Sequence, residues 1–336
     1  MPSKRRPWVA ITATEDLPVA MKPVREALRD IAPAKTVPLP YSPLSAAEET
    51  KFAKMLQGAA GMLLRPGYIT ASLLDQLPDL KIIAVHGAGV DQVDVDACTE
   101  RGVLVTNAPG ANADAVAELT ICLMIDLARR VSAGAWRVHN ERVWGDARHT
   151  GSELRGKTLG LVGIGQIGGR VARLAKAFGM KVCAHDPGLA SKDIRATGAK
   201  PMTLDALLAG CDYISLHAPH IPATHHLINR KAINRMKKGA LLINAARGAL
   251  VDEIAVAQAL KSGRLGGAAL DVLEGEPPNP KSPIFDAPNI LLTPHMAGST
   301  NECLDTIAGT AAEDIARFLQ NKRPKYRVNK PRRRKG

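Results

Sequence analysis

From residue 8 onward the hydrophobic positions fall into short unbroken runs, separated by stretches with helical spacing. The first hundred residues hold "WVAITAT", "KTVPL", "GMLLR", "KIIAVHG" and "VLVTNAP" as runs, with "AMKPVREALRDI", "SAAEETKFAKMLQ", "TASLLDQL" and "DVDACTERG" between them. Runs without polar alternation predict strands covered on both faces, and strand–helix alternation predicts a parallel, doubly wound sheet. A long helix is predicted through 113–139, followed by the polar stretch "HNERVWGDARHTGSE". The alternation then restarts with "TLGLVGIG", "MKVCAHD", "DYISLHAP", "GALLINAA", "LGGAALDV" and "NILLTP". A last helix, about 300–320, follows. The pattern predicts two α/β domains, the second inserted into the first.

Composition agrees with that picture. The chain has 336 residues, 46% hydrophobic and 23% charged, enough for roughly two domains. Aromatic residues make up only 3%, which suits small side chains packing helices closely onto sheets. The five cysteines (98, 122, 183, 211 and 303) form no C-x-x-C pair and lie in apolar runs. They read as reduced, buried thiols of a cytoplasmic protein, not as a disulfide framework or zinc site, and no metal is expected.

The formal charge of +13 is concentrated at the ends. Nine Lys or Arg lie in "KRPKYRVNKPRRRKG" and three in "SKRRP"; removing these twelve leaves the body at +1. A near-neutral body is not a nucleic-acid surface, and residues 322–336 read as a basic disordered tail. The most apolar stretch, 115–131, contains Glu118 and Asp126, so it predicts a packed helix and no membrane span.

Candidate chemistry begins at "LGLVGIGQIGGRVARLAKAFGMKVCAHD" (159–186), with G-x-G-x-x-G at Gly163, Gly165 and Gly168. It follows a predicted strand, opens a helix, and is succeeded by a strand ending in Asp186. That context is the dinucleotide-binding fingerprint. Gly163 permits the turn, Gly165 admits the pyrophosphate, and Gly168 lets helix and strand approach. The Gln166 and Ile167 N–H groups face the phosphates at the positive helix end. Asp186 would accept hydrogen bonds from ribose hydroxyls and repel a 2′-phosphate, which favours NAD over NADP.

Three more strand ends carry reactive groups: Arg247 in "LLINAARGALVDE", Glu276 in "ALDVLEGEPP" and His295 in "LLTPHMAGS". Singly, these read as a surface ion pair, a loop carboxylate and a helix-entry histidine. Together, at the carboxyl edge of a sheet that carries a cofactor fingerprint, they predict a catalytic crevice.

These motifs, with "HAPHIPATHHLIN", occur in the order and spacing of a known family. The chain resembles the D-isomer-specific 2-hydroxyacid dehydrogenases, most closely the phosphoglycerate dehydrogenase-like branch, over about residues 50–320. The resemblance implies a flavodoxin-like substrate domain (1–107 and 295–321) with an inserted Rossmann NAD-binding domain (108–294). It implies Arg247, Glu276 and His295 as the catalytic set. It also implies NAD contacts at Gln166, Ile167, Asp186, Ala218, Ala245 and Asp271, within a cofactor site that takes in His217, Pro219, Thr224, Ala246, Arg247, His295, Ala297 and Gly298. Arg247 would hold the substrate carboxylate and His295 would act as acid/base, oriented by Glu276.

Substrate choice is expected in the other domain, at Arg65 and at a glycine turn (Gly87, Ala88, Gly89) whose N–H groups could hold a carboxylate. The implied activity is hydride transfer between NAD and C2 of a small 2-hydroxy acid, phosphoglycerate dehydrogenase-like. A glyoxylate or hydroxypyruvate reductase is one alternative, and an NAD-sensing scaffold or corepressor is another, supported only by the basic tail. The apolar helix around 115–131 predicts a homodimer through the NAD-binding domains.

Overall fold

The computed structural model describes residues 7–145 and 150–332. The chain divides into two compact units, Met1–Asn112 with Ser299–Gly336, and Ala113–Gly298. The division falls after Asn112 and before Ser299, a few residues beyond the expected 107/108 and 294/295.

The first unit contains β1 (Trp8–Thr12), β2 (Ala34–Val37), β3 (Ala59–Leu64), β4 (Ile82–Val85) and β5 (Leu104–Thr106). They form one parallel sheet in the order β2-β1-β3-β4-β5, the flavodoxin-like order. Alternate residues of each strand go to opposite faces. Val9, Ile11, Leu63 and Ile82 pack with Ala308, Ala312 and Ile315 of the last helix, α12 (Asn301–Leu319). Ala10, Met62, Leu64 and Ile83 pack on the other side with Ala53, Leu73 and Cys98. Those three belong to α2 (Ala46–Met55), α3 (Ala71–Asp75) and α4 (Val95–Glu100), while α1 (Met21–Ala27) joins α12. Burial on both faces is why no polar alternation marks these strands. Ser45, Thr70, Asp94 and Thr300 cap their helices through side-chain oxygens, each replacing a missing intrahelical partner.

The second unit opens with α5 (Ala113–Arg129) and α6 (Val131–Glu141). The single helix expected over 113–139 is therefore two, broken where Arg130 takes a left-handed backbone (φ 55). Then follow β6 (Thr158–Val162), α7 (Gln166–Ala177), β7 (Lys181–His185), α8 (Ser191–Ala196), β8 (Lys200–Pro201), α9 (Leu204–Gly210) and β9 (Tyr213–Leu216). After them come α10 (Arg230–Arg235), β10 (Ala240–Asn244), α11 (Glu253–Lys261), β11 (Leu265–Leu270) and β12 (Ile290–Leu292). The sheet is parallel in the order β12-β11-β10-β9-β6-β7-β8. Strand order reverses between β6 and β9, and ligands of open α/β sheets bind at such a switch point. The hydrophobic pattern does not reveal β8, a two-residue edge strand that includes a proline.

Two expectations are corrected. The tail is not disordered through Arg332. Asp314, 1% exposed, accepts the backbone N–H groups of Lys325 (2.6 Å) and Tyr326 (3.0 Å). Val328 N–H donates to Val105 O, and the Asn329 amide bonds Val105 N–H, Val103 O and Thr99 Oγ1. The segment thereby covers the β5 edge, satisfying backbone groups that an edge strand would otherwise present. The rest of the tail, 333–336, lies outside the described residues. The cysteines are not all buried either: Cys122 is exposed, on the outward side of α5.

Candidate active site

The loop after β6 and the loop after β9 meet at the switch point. Gly163 has φ +90, and a Cβ there would lie 2.6 Å from the His217 carbonyl oxygen. A Cβ on Gly168 would lie 2.4 Å from Gly163 O. Both positions require glycine, because backbone is already in the way. Gly165 caps α7, and a Cβ there would meet nothing within 4 Å, so space for a phosphate remains beside the first N–H groups of Gln166 and Ile167. Asp186 follows β7; its carboxylate accepts from Ile164 N–H and Gly188 N–H, each at 3.0 Å. This pins the carboxylate beside the glycine loop with lone pairs left over. The cradle and the acid fit a dinucleotide.

Other expected cofactor residues gather around it. Ile167, Ala245 and Ala297 share a small apolar cluster with Val116 and Leu119. His217 donates its backbone N–H to Val162 O, pairs its Nε2 with Ser215 Oγ at 2.9 Å, and leaves Nδ1 buried without a partner. Burial pushes its pKa down to about 4, so the ring is neutral. Thr224 turns its hydroxyl inward, donating to Pro219 O at 2.8 Å and accepting Ile221 N–H at 2.9 Å. It shapes the loop that carries Ala218 and Pro219. Ala246 N–H is held by Asn244 Oδ1, and Gly298 closes the segment after Ala297.

His295, Glu276 and Arg247 all lie in the second unit. His295 Nδ1 is 2.6 Å from Glu276 Oε2, with the histidine side chain half exposed. The hydrogen bond to Glu276 is the largest influence on His295 and raises its pKa; burial opposes it. The charges of Glu276 and Asp271 also raise it, and that of Arg247 lowers it. Arg247 follows β10, with Nη1 donating to Ala246 O and its carbonyl held by Asn244 Nδ2. A planar cation and an acid-stabilised imidazole on one sheet edge suit an anionic substrate that gains or loses a proton.

Asp271, which the resemblance implies as a cofactor contact, also has partners within the protein. It is 1% exposed, and its two oxygens accept Thr293 Oγ1 (2.6 Å), Met296 N–H (2.9 Å) and Ala297 N–H (2.9 Å). It anchors the turn that carries His295.

In the first unit, Arg65 follows β3 and is half-buried, not a solvated strand end. Its backbone N–H donates to Thr12 Oγ1, whose hydroxyl donates to Pro66 O at 2.9 Å. Among the described residues Arg65 Nη1 is buried without a hydrogen-bond partner, and so is Nε2 of His86. Burial, aided by the Arg65 charge, pushes the His86 pKa down to about 4. The sequence reading missed Thr12 and His86; their signals were a polar residue ending an apolar strand and a histidine opening the glycine turn. In that turn Gly87 N–H already bonds Val85 O at 2.9 Å, while Asn107 Nδ2 donates to Ala88 O at 2.6 Å. The Gly87 N–H is therefore engaged within its own turn.

Fold and site define a dinucleotide-binding α/β protein of the oxidoreductase kind. Residues 121–297 match the family description "D-isomer specific 2-hydroxyacid dehydrogenase, NAD binding domain". The chain belongs to the D-isomer specific 2-hydroxyacid dehydrogenase family. It is 40% identical over 263 residues to D-3-phosphoglycerate dehydrogenase of Archaeoglobus fulgidus, a match covering 78% of this chain but 50% of that protein. The chain thus spans about half the length of that relative. It is 39% identical to glyoxylate reductase of Aeropyrum pernix, covering 84% of this chain and 86% of the relative. The structure of Aquifex aeolicus D-lactate dehydrogenase complexed with NAD and lactic acid superposes with a TM-score of 0.82 at 31% identity, covering 96% of this chain and 100% of that one.

Proposed function

We propose that this protein is an NAD-dependent 2-hydroxyacid dehydrogenase that also reduces 2-oxo acids. The observation that carries the reading is the His295–Glu276 pair at 2.6 Å beside the glycine cradle. NAD, held at the Gly163–Gly168 cradle and Asp186, would supply the hydride acceptor and donor for substrate C2. Arg247 binds the substrate carboxylate through two N–H groups and orients the oxygen on C2. With Nδ1 engaged by Glu276, His295 exchanges its proton through Nε2, giving it to the 2-oxo oxygen or taking it from the hydroxyl. Glu276 stabilises the protonated ring, and Asp271 holds the turn that aims it. Asp186 favours NAD because a 2′-phosphate would face a like charge.

For the substrate, a phosphoglycerate-like acid is favoured by Arg65 and His86, whose buried unpaired nitrogens suit a second anionic group. A second reading, a glyoxylate or hydroxypyruvate reductase, is favoured by the near full-length match to glyoxylate reductase. The scaffold or corepressor reading loses its one support, since the basic tail is docked onto β5 up to Arg332.

We also infer a homodimer through the second units and a cytoplasmic setting. Helix α6 has no buried residue, and it and the segment after it expose Val131, Trp136 and Trp144 by 55%, 57% and 88%. Apolar area of that kind marks association surfaces. The five unpaired thiols suit a reducing compartment. Among the described residues no helix is long and apolar enough to cross a membrane.

The test is a panel of 2-oxo acids with NADH and NADPH, followed by coenzyme absorbance. Turnover of one or more acids with NADH is expected, NADPH being far poorer. Absence of turnover with every 2-oxo acid would overturn the reading. Sedimentation at micromolar concentration should give a dimer, and a monomer would refute the α6 surface.

A further inference from the structure

One cluster of ligand-type side chains lies outside the machinery described above. His225 and His226 follow Thr224, and Glu274 lies past β11; each offers one donor atom within 4.8 Å of the others. His226 Nε2 is 2.7 Å from Glu274 Oε2. The rings of His225 and His226 stack at 4.1 Å, and a third imidazole, His220, brings Nε2 to 3.3 Å from His225 Nδ1. The backbone beneath is fixed from several directions. His226 N–H donates to Ala249 O, its carbonyl accepts from Asn229 Nδ2, and Glu274 N–H donates to Glu253 Oε1.

We propose that His225, His226 and Glu274 form a binding site for a divalent transition-metal ion of the zinc class. Two imidazoles and one carboxylate are the donor set of borderline ions such as Zn²⁺, Co²⁺ and Ni²⁺. Mg²⁺ and Ca²⁺ prefer all-oxygen shells. Zinc–ligand bonds of about 2.0–2.1 Å place tetrahedral donors about 3.3 Å apart. The His226–Glu274 pair therefore has to open by only about half an ångström, which exposed side chains manage by small rotations. The fourth position falls to His220 or to water. The ion would join residues 220–226 to residues 273–276 and tie the loop after β9 to the loop after β11. Sequence spacing alone hides the site, because its carboxylate lies 48 residues beyond its last histidine. The proposal does not depend on the dehydrogenase reading.

The test uses tag-free, full-length protein stripped with a chelator and titrated with ZnCl₂ and with CoCl₂. One saturable equivalent should bind. His226→Asn, which tolerates the left-handed backbone at this position (φ 46), and Glu274→Gln should each weaken binding at least about tenfold. Both variants should keep the wild-type circular dichroism and NADH affinity. Amide exchange in 220–226 and 273–276 should slow with Zn²⁺ in the wild type and not in His226→Asn. The site is refuted by absence of saturable binding, by equal affinity in the variants, or by unchanged exchange in both segments. A thiolate–cobalt charge-transfer band, which would put the ion on Cys122, or competition by NADH, which would put it at His295, refutes it too.

Discussion

Asp271 holds His295 from below: one buried carboxylate accepts the two N–H groups that follow the histidine, and its own carbonyl accepts His295 N–H at 2.8 Å. His295 sits at φ 50, a left-handed conformation that a branch-free glycine would adopt more easily. The carboxylate over-determines that backbone, and such strain at a functional residue persists only where neighbours enforce it.

Replacing Asp271 with Ala leaves Met296 and Ala297 N–H groups without their acceptor. The cost should be about 1–3 kcal/mol of stability, read as a lower denaturant midpoint. Because the histidine loses its aim, kcat should fall by about an order of magnitude or more, while NADH affinity changes less. Equal, small losses in both would mean that Asp271 contacts cofactor only, as the resemblance implied.

The pH dependence follows from the sign of the His295 shift. Glu276 raises the histidine pKa through its hydrogen bond, so Glu276→Gln should lower it. Reduction needs the protonated ring, and its alkaline limb should move to lower pH. Oxidation needs the neutral ring, and its acid limb should move to lower pH as well. Rate profiles in both directions check this, and an unshifted pair of limbs would separate Glu276 from the proton transfer. His295→Ala should cost about 10²–10⁴-fold in turnover in either direction.

Local chemistry made much of this legible from sequence. Unbroken apolar runs marked both sheets because their strands are buried on each face, and Gly163 and Gly168 announced a turn where backbone leaves no room for Cβ. Arg247, Glu276 and His295 were visible because each lies in a segment that follows a strand of the same sheet, β10, β11 and β12. What stayed hidden depended on tertiary partners. Nothing local to Arg130 announces a helix break, and the hold of Asp271 on the His295 turn is hidden because its three acceptor bonds reach 22 to 26 residues ahead. The tail looked disordered because its charge was visible but its docking residue, Asn329, pairs with groups more than 220 positions away.

That tail yields its own prediction. Asn329→Ala removes the acceptor of Val105 N–H, and Val105 is fully buried. An orphaned buried donor costs about 1–3 kcal/mol. The variant should unfold at lower denaturant with faster amide exchange in 99–106, and turnover by the folded fraction should be unchanged. Wild-type stability would mean that the tail only rests on the edge of β5.

The substrate role proposed for Arg65 can be tested directly. Its guanidinium is half-buried, with Nη1 lacking a protein partner, and desolvation lowers its pKa without discharging it. His86 beside it is held neutral by burial and by the Arg65 charge. The site therefore presents one permanent cation and one neutral imidazole, and its anion affinity should not titrate near neutral pH. If this pair reads the phosphate of phosphohydroxypyruvate, Arg65→Ala should weaken kcat/KM for that substrate by about one to two orders of magnitude, as charged hydrogen bonds contribute about 1.5–3 kcal/mol. Glyoxylate has no distal group and should be reduced almost as before. The ratio of the two losses is the measurement. Equal loss would place Arg65 on the carboxylate that both substrates share, and no loss in either would leave Arg65 as a buried cation that supports the β3 loop through Thr12.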